Sequence, residues 1–148
     1  LLRYGIPDFK LEKSILDRRL AIMEASGINF VMNMNVGVDI SIDYLQSEYD
    51  AVVLCGGSTI ARDVAIENRD AKGVHVAMEY LTQNNKRVAG DQFSEKETIS
   101  VKDQDVAVIV GGDTGSDCIG TSNRLGAKSI TQLEIMPTPG IERTDKDP

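Results

Sequence analysis

Apolar positions recur along this chain with two different periods. Leu11, Ile15, Leu16, Leu20 and Met23 fall at helical spacing, and Gly27 supplies a C-terminal stop. "INFVMN" (28–33) then reads as a short strand. Ser41 is placed to cap a brief helix, "IDYLQSE", and "DAVVLC" (50–55) reads as a buried strand ended by Gly56-Gly57. After the turn-like "NRDAKGVH", Val74, Ala77, Met78 and Leu81 mark a further helix ending near Asn84-Asn85. Residues 86–104 are polar and predict a loop between two units. The second unit opens on "DVAVIV" (105–110), a wholly apolar strand of the kind found inside parallel sheets. A helix closed by Gly126 follows, and then a second strand in "SITQLEI". The opening "LLRYGIPDF" and the tail "MPTPGIERTDKDP" have no period.

Strand, glycine turn, helix and strand in succession make a βαβ unit, so the fold class is α/β. Two strands do not complete a doubly wound sheet. Either the two units share one sheet, or the chain is a piece of a larger protein.

Composition narrows the function. The chain has 148 residues, 41% hydrophobic and 26% charged, enough for a packed globular core. Its 16 basic and 23 acidic residues give a net charge of -7, which argues against a nucleic-acid partner. No apolar run approaches the roughly 18 residues of a membrane span, and the first residues lack a signal-peptide core, so a cytoplasmic location is expected. Cys55 and Cys118 are the only cysteines, without a C-x-x-C, which disfavours a zinc or iron–sulfur site within this chain. Both thiols sit in apolar stretches and are expected to be buried and reduced. His75 is the single histidine, which excludes two-His metal sites. It is read as a surface or helix-start residue.

The candidate chemistry lies in "VIVGGDTGSDC" (108–118). A dinucleotide fingerprint, G-x-G-x-x-G, would place glycines at 110, 112 and 115. Gly112 and Gly115 are present, but the first position is Val110. In such a turn the backbone N–H groups meet a pyrophosphate at the positive end of a helix, and the third glycine brings helix and strand together. An acidic residue near 20 positions later bonds the ribose hydroxyls, and Glu134 stands where the second strand pattern ends. A β-branched residue is strained wherever φ is positive; alternatively, Val110 extends the strand and Gly111 takes the turn one residue later. Three readings stay open: a dinucleotide site, a ligand-free turn with Asp113 as a plain helix N-cap, and a Rossmann-like transferase site.

Five stretches together go further. "YGIPDFKLEKSILDRRLAIMEASGINF", "YDAVVLCGGST", "GVHVAMEYLTQNNKRVAGD", "GGDTGSDCIGTSNRLGAKSITQLEIMP" and "PGIER" resemble, in order and over essentially the whole chain, the small (β) subunit of glutamate synthase and the matching domain of the single-chain enzyme. The resemblance implies a Rossmann-like FAD/NAD(P)-binding fold, with parts of two nested dinucleotide-binding domains. Residues 1–85 would be the second part of an FAD-binding domain, 86–104 a connecting segment, and 105–148 the start of the NAD(P)H-binding βαβ unit. It also implies an oxidoreductase that passes electrons from NADH or NADPH through FAD, and then through iron–sulfur clusters outside this segment, to the large subunit or domain that makes glutamate.

Residue by residue, the resemblance places Lys10 where a basic side chain approaches the flavin, and Val36 near its adenine side. Gly56, Gly57 and Ser58 match a strand-end motif against FAD. Gly111, Gly112, Asp113, Thr114 and Gly115 match the pyrophosphate turn for the nicotinamide cofactor. Glu134 and Arg143 match the region that separates NADH from NADPH. The family's triple glycine reads Val110-Gly111-Gly112 here, and its first FAD fingerprint and cluster-binding cysteines would precede Leu1, so the chain looks like an internal fragment. The rival function is a non-catalytic Rossmann-like nucleotide-binding fragment without flavin, forming a homo-oligomer that covers its unfinished sheet.

Overall fold

The computed structural model describes residues 1–58, 60–61, 63–109 and 111–137. Val110 and Arg143, both singled out above, lie outside the described residues. The chain divides into two compact units, one made of residues 1–13 with the chain from Asp63 onward, the other of residues 14–62.

The first unit holds α3 (Ala77–Val88), β1 (Asp105–Ile109), α4 (Gly112–Arg124) and β2 (Ser129–Leu133). β1 and β2 pair in parallel, Asp105 opposite Ser129 and Ile109 opposite Leu133, with α4 as the crossover. This is the βαβ unit that the sequence predicts. At the strand origins Asp105 accepts hydrogen bonds from Ser129 Oγ (2.6 Å) and Lys128 Nζ (3.1 Å). These bonds, Ser129's first, hold its carboxyl below the usual range. The small core joins Tyr80 and Leu81 of α3, Val108 of β1 and Cys118 of α4, with Ile99, Val101, Ile119 and Ile130 packed around it. A buried hydrogen bond between Tyr80 Oη and Ser122 Oγ (3.1 Å) joins the two helices.

The N-terminal residues 4–10 form a strap bound to α3 and α4. Asn85 Nδ2 donates to the carbonyls of Tyr4 (2.8 Å) and Ile6 (3.3 Å), and Lys86 lies over the Tyr4 ring. The Phe9 ring stacks under the Arg124 guanidinium at 3.7 Å and rests against Gly120.

The second unit contains α1 (Lys13–Ala25), which enters from the first, and α2 (Ile42–Glu48). Ser41 caps α2 as expected, its Oγ accepting from Tyr44 N at 3.1 Å.

α1, α3 and α4 end alike. In each, the residue after a glycine donates back five positions, as Ile28 to Met23, Asp91 to Lys86 and Ala127 to Ser122. The glycines Gly27, Gly90 and Gly126 take the left-handed φ that this closure requires. α3 therefore runs to Val88, beyond the Asn84-Asn85 stop read from the sequence. Asn85 stays helical because its amide is spent on the strap carbonyls, so it does not turn its own backbone.

Two predicted strands are absent. Residues 28–33 and 50–55 belong to no ladder among the described residues. Their apolar side chains are open to solvent: Met32 is 74% exposed and Leu54 82%. An apolar run becomes a strand only when a neighbour takes its N–H and C=O groups, and neither run has one here. The expectation of two buried thiols fails for the same reason, since Cys118 is buried but Cys55 is exposed.

Candidate functional site

The glycine turn forms where β1 gives way to α4. Gly111 is the N-cap of the helix in an extended conformation, φ -99°, and Gly112 follows with φ +66°. The left-handed residue is thus Gly112, the second glycine of the fingerprint, and not Gly111. A side chain at 112 would be strained by its backbone. At 111 the neighbour is the Glu134 carboxylate, the far end of an exposed side chain that a Cβ would displace. The two glycines do different work, and Gly115 is buried one turn into the helix.

No side chain caps α4. Asp113 lies in the first turn of the helix and is not its N-cap, which removes that reading. The first N–H groups of α4 therefore have no side-chain acceptor at the N-cap, at the end where the helix dipole favours an anion. Asp113 and Thr114 are exposed beside them.

Glu134 directly follows β2 and turns back on its own chain, Oε1 accepting from Ile135 N (2.9 Å) and Met136 N (3.2 Å). Parallel pairing of β1 and β2 sets the ends of both strands side by side, and this carries Glu134 to Gly111. The fold thus joins the two parts of the fingerprint that sequence spacing separates.

The other candidates lie elsewhere. Lys10 is on the strap, where its Nζ pairs with Asp117 Oδ1 of α4 at 2.5 Å. The approach is an ion pair, not an aligned hydrogen bond. Val36, Gly56, Gly57 and Ser58 belong to the second unit and are exposed. Val36 makes an isolated bridge to Ile40, Gly57 takes φ +65°, and Ser58 Oγ donates to Ile60 O at 3.5 Å. His75 is exposed before α3. A cavity of about 740 Å³ opens between α3 and residues 91–100, lined by Arg87, Phe93, Thr98 and Leu125 among others, and includes none of these candidates.

Sequence reasoning missed Asp117 and Gly120. Asp117 is a carboxylate inside a helix on its buried side, a departure from amphipathic order visible in "GSDCIG". Gly120 lies within the same helix with no fingerprint role, and that is the only sequence signal it gives.

No protein-family model matches the chain. Known proteins do. "Glutamate synthase [NADH]" of Schizosaccharomyces pombe is 49% identical over 150 residues, taking in 100% of this chain and 7% of that protein. "Glutamate synthase [NADPH] small chain" of Bacillus subtilis is 48% identical over 145 residues, 98% of this chain and 29% of its own length. The small chain of Escherichia coli is 42% identical over 132 residues, 88% of this chain and 28% of its own length. The chain thus spans less than a third of each of these relatives. From 88% to 100% of it is homologous to a segment of glutamate synthase, an oxidoreductase found among these relatives in NADH and NADPH forms.

Proposed function

We propose that this chain is the part of a glutamate synthase-type flavoprotein in which a nicotinamide dinucleotide is held by the turn at the head of α4. One observation carries the reading. The glycine turn, its uncapped helix N-terminus and the Glu134 carboxylate meet at one place, with the carboxylate lying against Gly111. These residues fit the group: N–H donors for a pyrophosphate, a left-handed glycine that lets the backbone approach it, and a carboxylate for ribose hydroxyls. Bound there, the nicotinamide supplies a hydride. The protein supplies position, and the charge of Glu134 selects the cofactor.

The wider reading follows the homology. Parts of two nested dinucleotide-binding domains, an FAD reached by Lys10, Val36, Gly56, Gly57 and Ser58, and a large subunit or domain receiving the electrons belong to the whole protein. The relatives' names, those of the NADPH small chain and the NADH enzyme, support the glutamate synthase and nicotinamide parts of it.

Glu134 gives the test. A carboxylate accepts from both ribose hydroxyls and repels a 2′-phosphate, so NADH is the preferred cofactor. Glu134→Gln keeps an oxygen for the Ile135 and Met136 N–H groups and removes the charge. In the full-length protein, fluorescence titration should show relative NADPH affinity rising roughly tenfold, about 1.4 kcal/mol. An unmodified protein that already prefers NADPH would show that Glu134 does not face the ribose.

A further inference from the structure

Asp117 is the one charged side chain buried in α4, with its side chain 10% exposed. Aspartate is a poor residue for a helix interior, and a carboxylate out of water is costly unless a cation meets it. Replacing such a pair as a whole by well-packed apolar residues is often neutral or stabilising, so stability alone does not call for a carboxylate here. The carboxylate meets Lys10, whose side chain is still a third exposed.

The strap does not need this pair in order to dock. Its start is held by Asn85 through the carbonyls of Tyr4 and Ile6, and Phe9 is held between Gly120 and Arg124. Lys13 donates to the carbonyls of Ile6 (2.7 Å) and Leu11 (2.9 Å), which folds the strap on itself and does not dock it. None of these contacts involves the Lys10 ammonium. What the buried carboxylate adds is the place of that one cation.

Asp117 is also five residues past Gly112 on a continuous helix, about 7.5 Å along its axis. Asp117 and the glycine turn thus belong to one continuous element. We propose that Asp117 is a positioning residue: it holds the Lys10 ammonium on the helix that opens at the glycine turn, and so makes the strap respond to a nucleotide in that turn. The second half of this statement rests on the nucleotide reading above; the first half stands without it.

The test is amine acylation of the full-length protein, read lysine by lysine by mass spectrometry, in wild type, Asp117→Asn and Asp117→Glu. In the ligand-free wild type Lys10 should react about tenfold more slowly than exposed Lys72. Asp117→Asn should raise the Lys10 rate to that of Lys72 and leave Lys13 and Lys86 unchanged, while Asp117→Glu restores protection. If Lys13 and Lys86 rise together with Lys10, the strap has come off, and Asp117 is a fold contact only. If Lys10 reacts like Lys72 in wild type, the pair does not hold it.

Adding NADH or NADPH, with binding followed separately by nicotinamide fluorescence, should slow Lys10 further in wild type and not in Asp117→Asn. Nucleotide that binds without changing the Lys10 rate overturns the coupling. Nucleotide that does not bind at all overturns the proposed function, while selective protection of Lys10 in the ligand-free protein would still establish the pair.

Discussion

Gly120 offers the sharpest test of how the strap is seated. A methyl group here would stand 2.6 Å from Phe9 Cζ and 3.0 Å from Cε2, against the 3.5–4.0 Å or so at which carbon atoms pack. Gly120 lies within α4, where alanine is normally the better residue by about 1 kcal/mol. That gain is opposed. The Phe9 ring must move about 1 Å to make room, and the Arg124 guanidinium on it limits where it can go. Overpacking of this kind costs about 1–3 kcal/mol, and loss of an exposed cation–π contact about 0.5–1 kcal/mol. Gly120→Ala should therefore destabilise by about 1 kcal/mol in wild type. With Phe9→Ala as background the obstacle is gone, and the same substitution should stabilise by about 1 kcal/mol. Urea unfolding followed by far-UV circular dichroism, with hydrogen exchange of the α4 amides to localise the change, measures both. The reversal of sign amounts to a coupling of about 2 kcal/mol between the two positions. Equal stabilisation in both backgrounds would mean that Phe9 does not lie on Gly120.

Burial raises the Cys118 thiol from 9.0 to about 11, with the Asp117 charge adding to it, and burial raises Tyr80 against the opposing effect of its Ser122 hydrogen bond. Folding thus keeps protons that the unfolded chain releases, so this contribution is complete below about pH 9 and is lost as pH rises toward about 11. Its size is on the order of 3 kcal/mol at most, and Cys118→Ala should flatten the alkaline slope of urea stability even as it lowers the plateau. A thiol reagent should modify exposed Cys55 at once and Cys118 only on unfolding, so rapid labelling of two thiols in the native protein would contradict the core described here.

Local signals were legible where local chemistry decides. Ser41 announced α2, Gly27 and Gly126 announced helix ends, and the βαβ order was plain from one apolar run, a glycine pair and a second run. Gly90 was as good a stop signal, yet the Asn84-Asn85 pair preceding it suggested an earlier end. Nothing in that pair shows that Asn85 will serve a carbonyl some 80 residues away in sequence. The site divides along the same line. The motif marks a glycine at 112, but the sequence points to 110 or 111 for the left-handed φ, and the backbone places it at Gly112. The approach of Glu134 to Gly111 was not legible either, because it exists only once two strands lie in register. Asp117 fell out of view because helical periodicity reports which face is buried, and is silent about a charge that a distant lysine makes tolerable there.

The open segments of the second unit have a practical consequence. "INFVMN" and "AVVLC" are short, rich in β-formers, free of proline and uncharged, and their backbones lie outside any ladder among the described residues. Such windows template pairing between molecules, and the nearest charged gatekeepers, Glu24 and Asp50, flank them from outside. Handled on its own at high concentration, the chain should lose material to β-rich aggregates that start from residues 14–62. Placing a lysine at Val53, which is 81% exposed and holds no core contact, is the change that should keep it in solution.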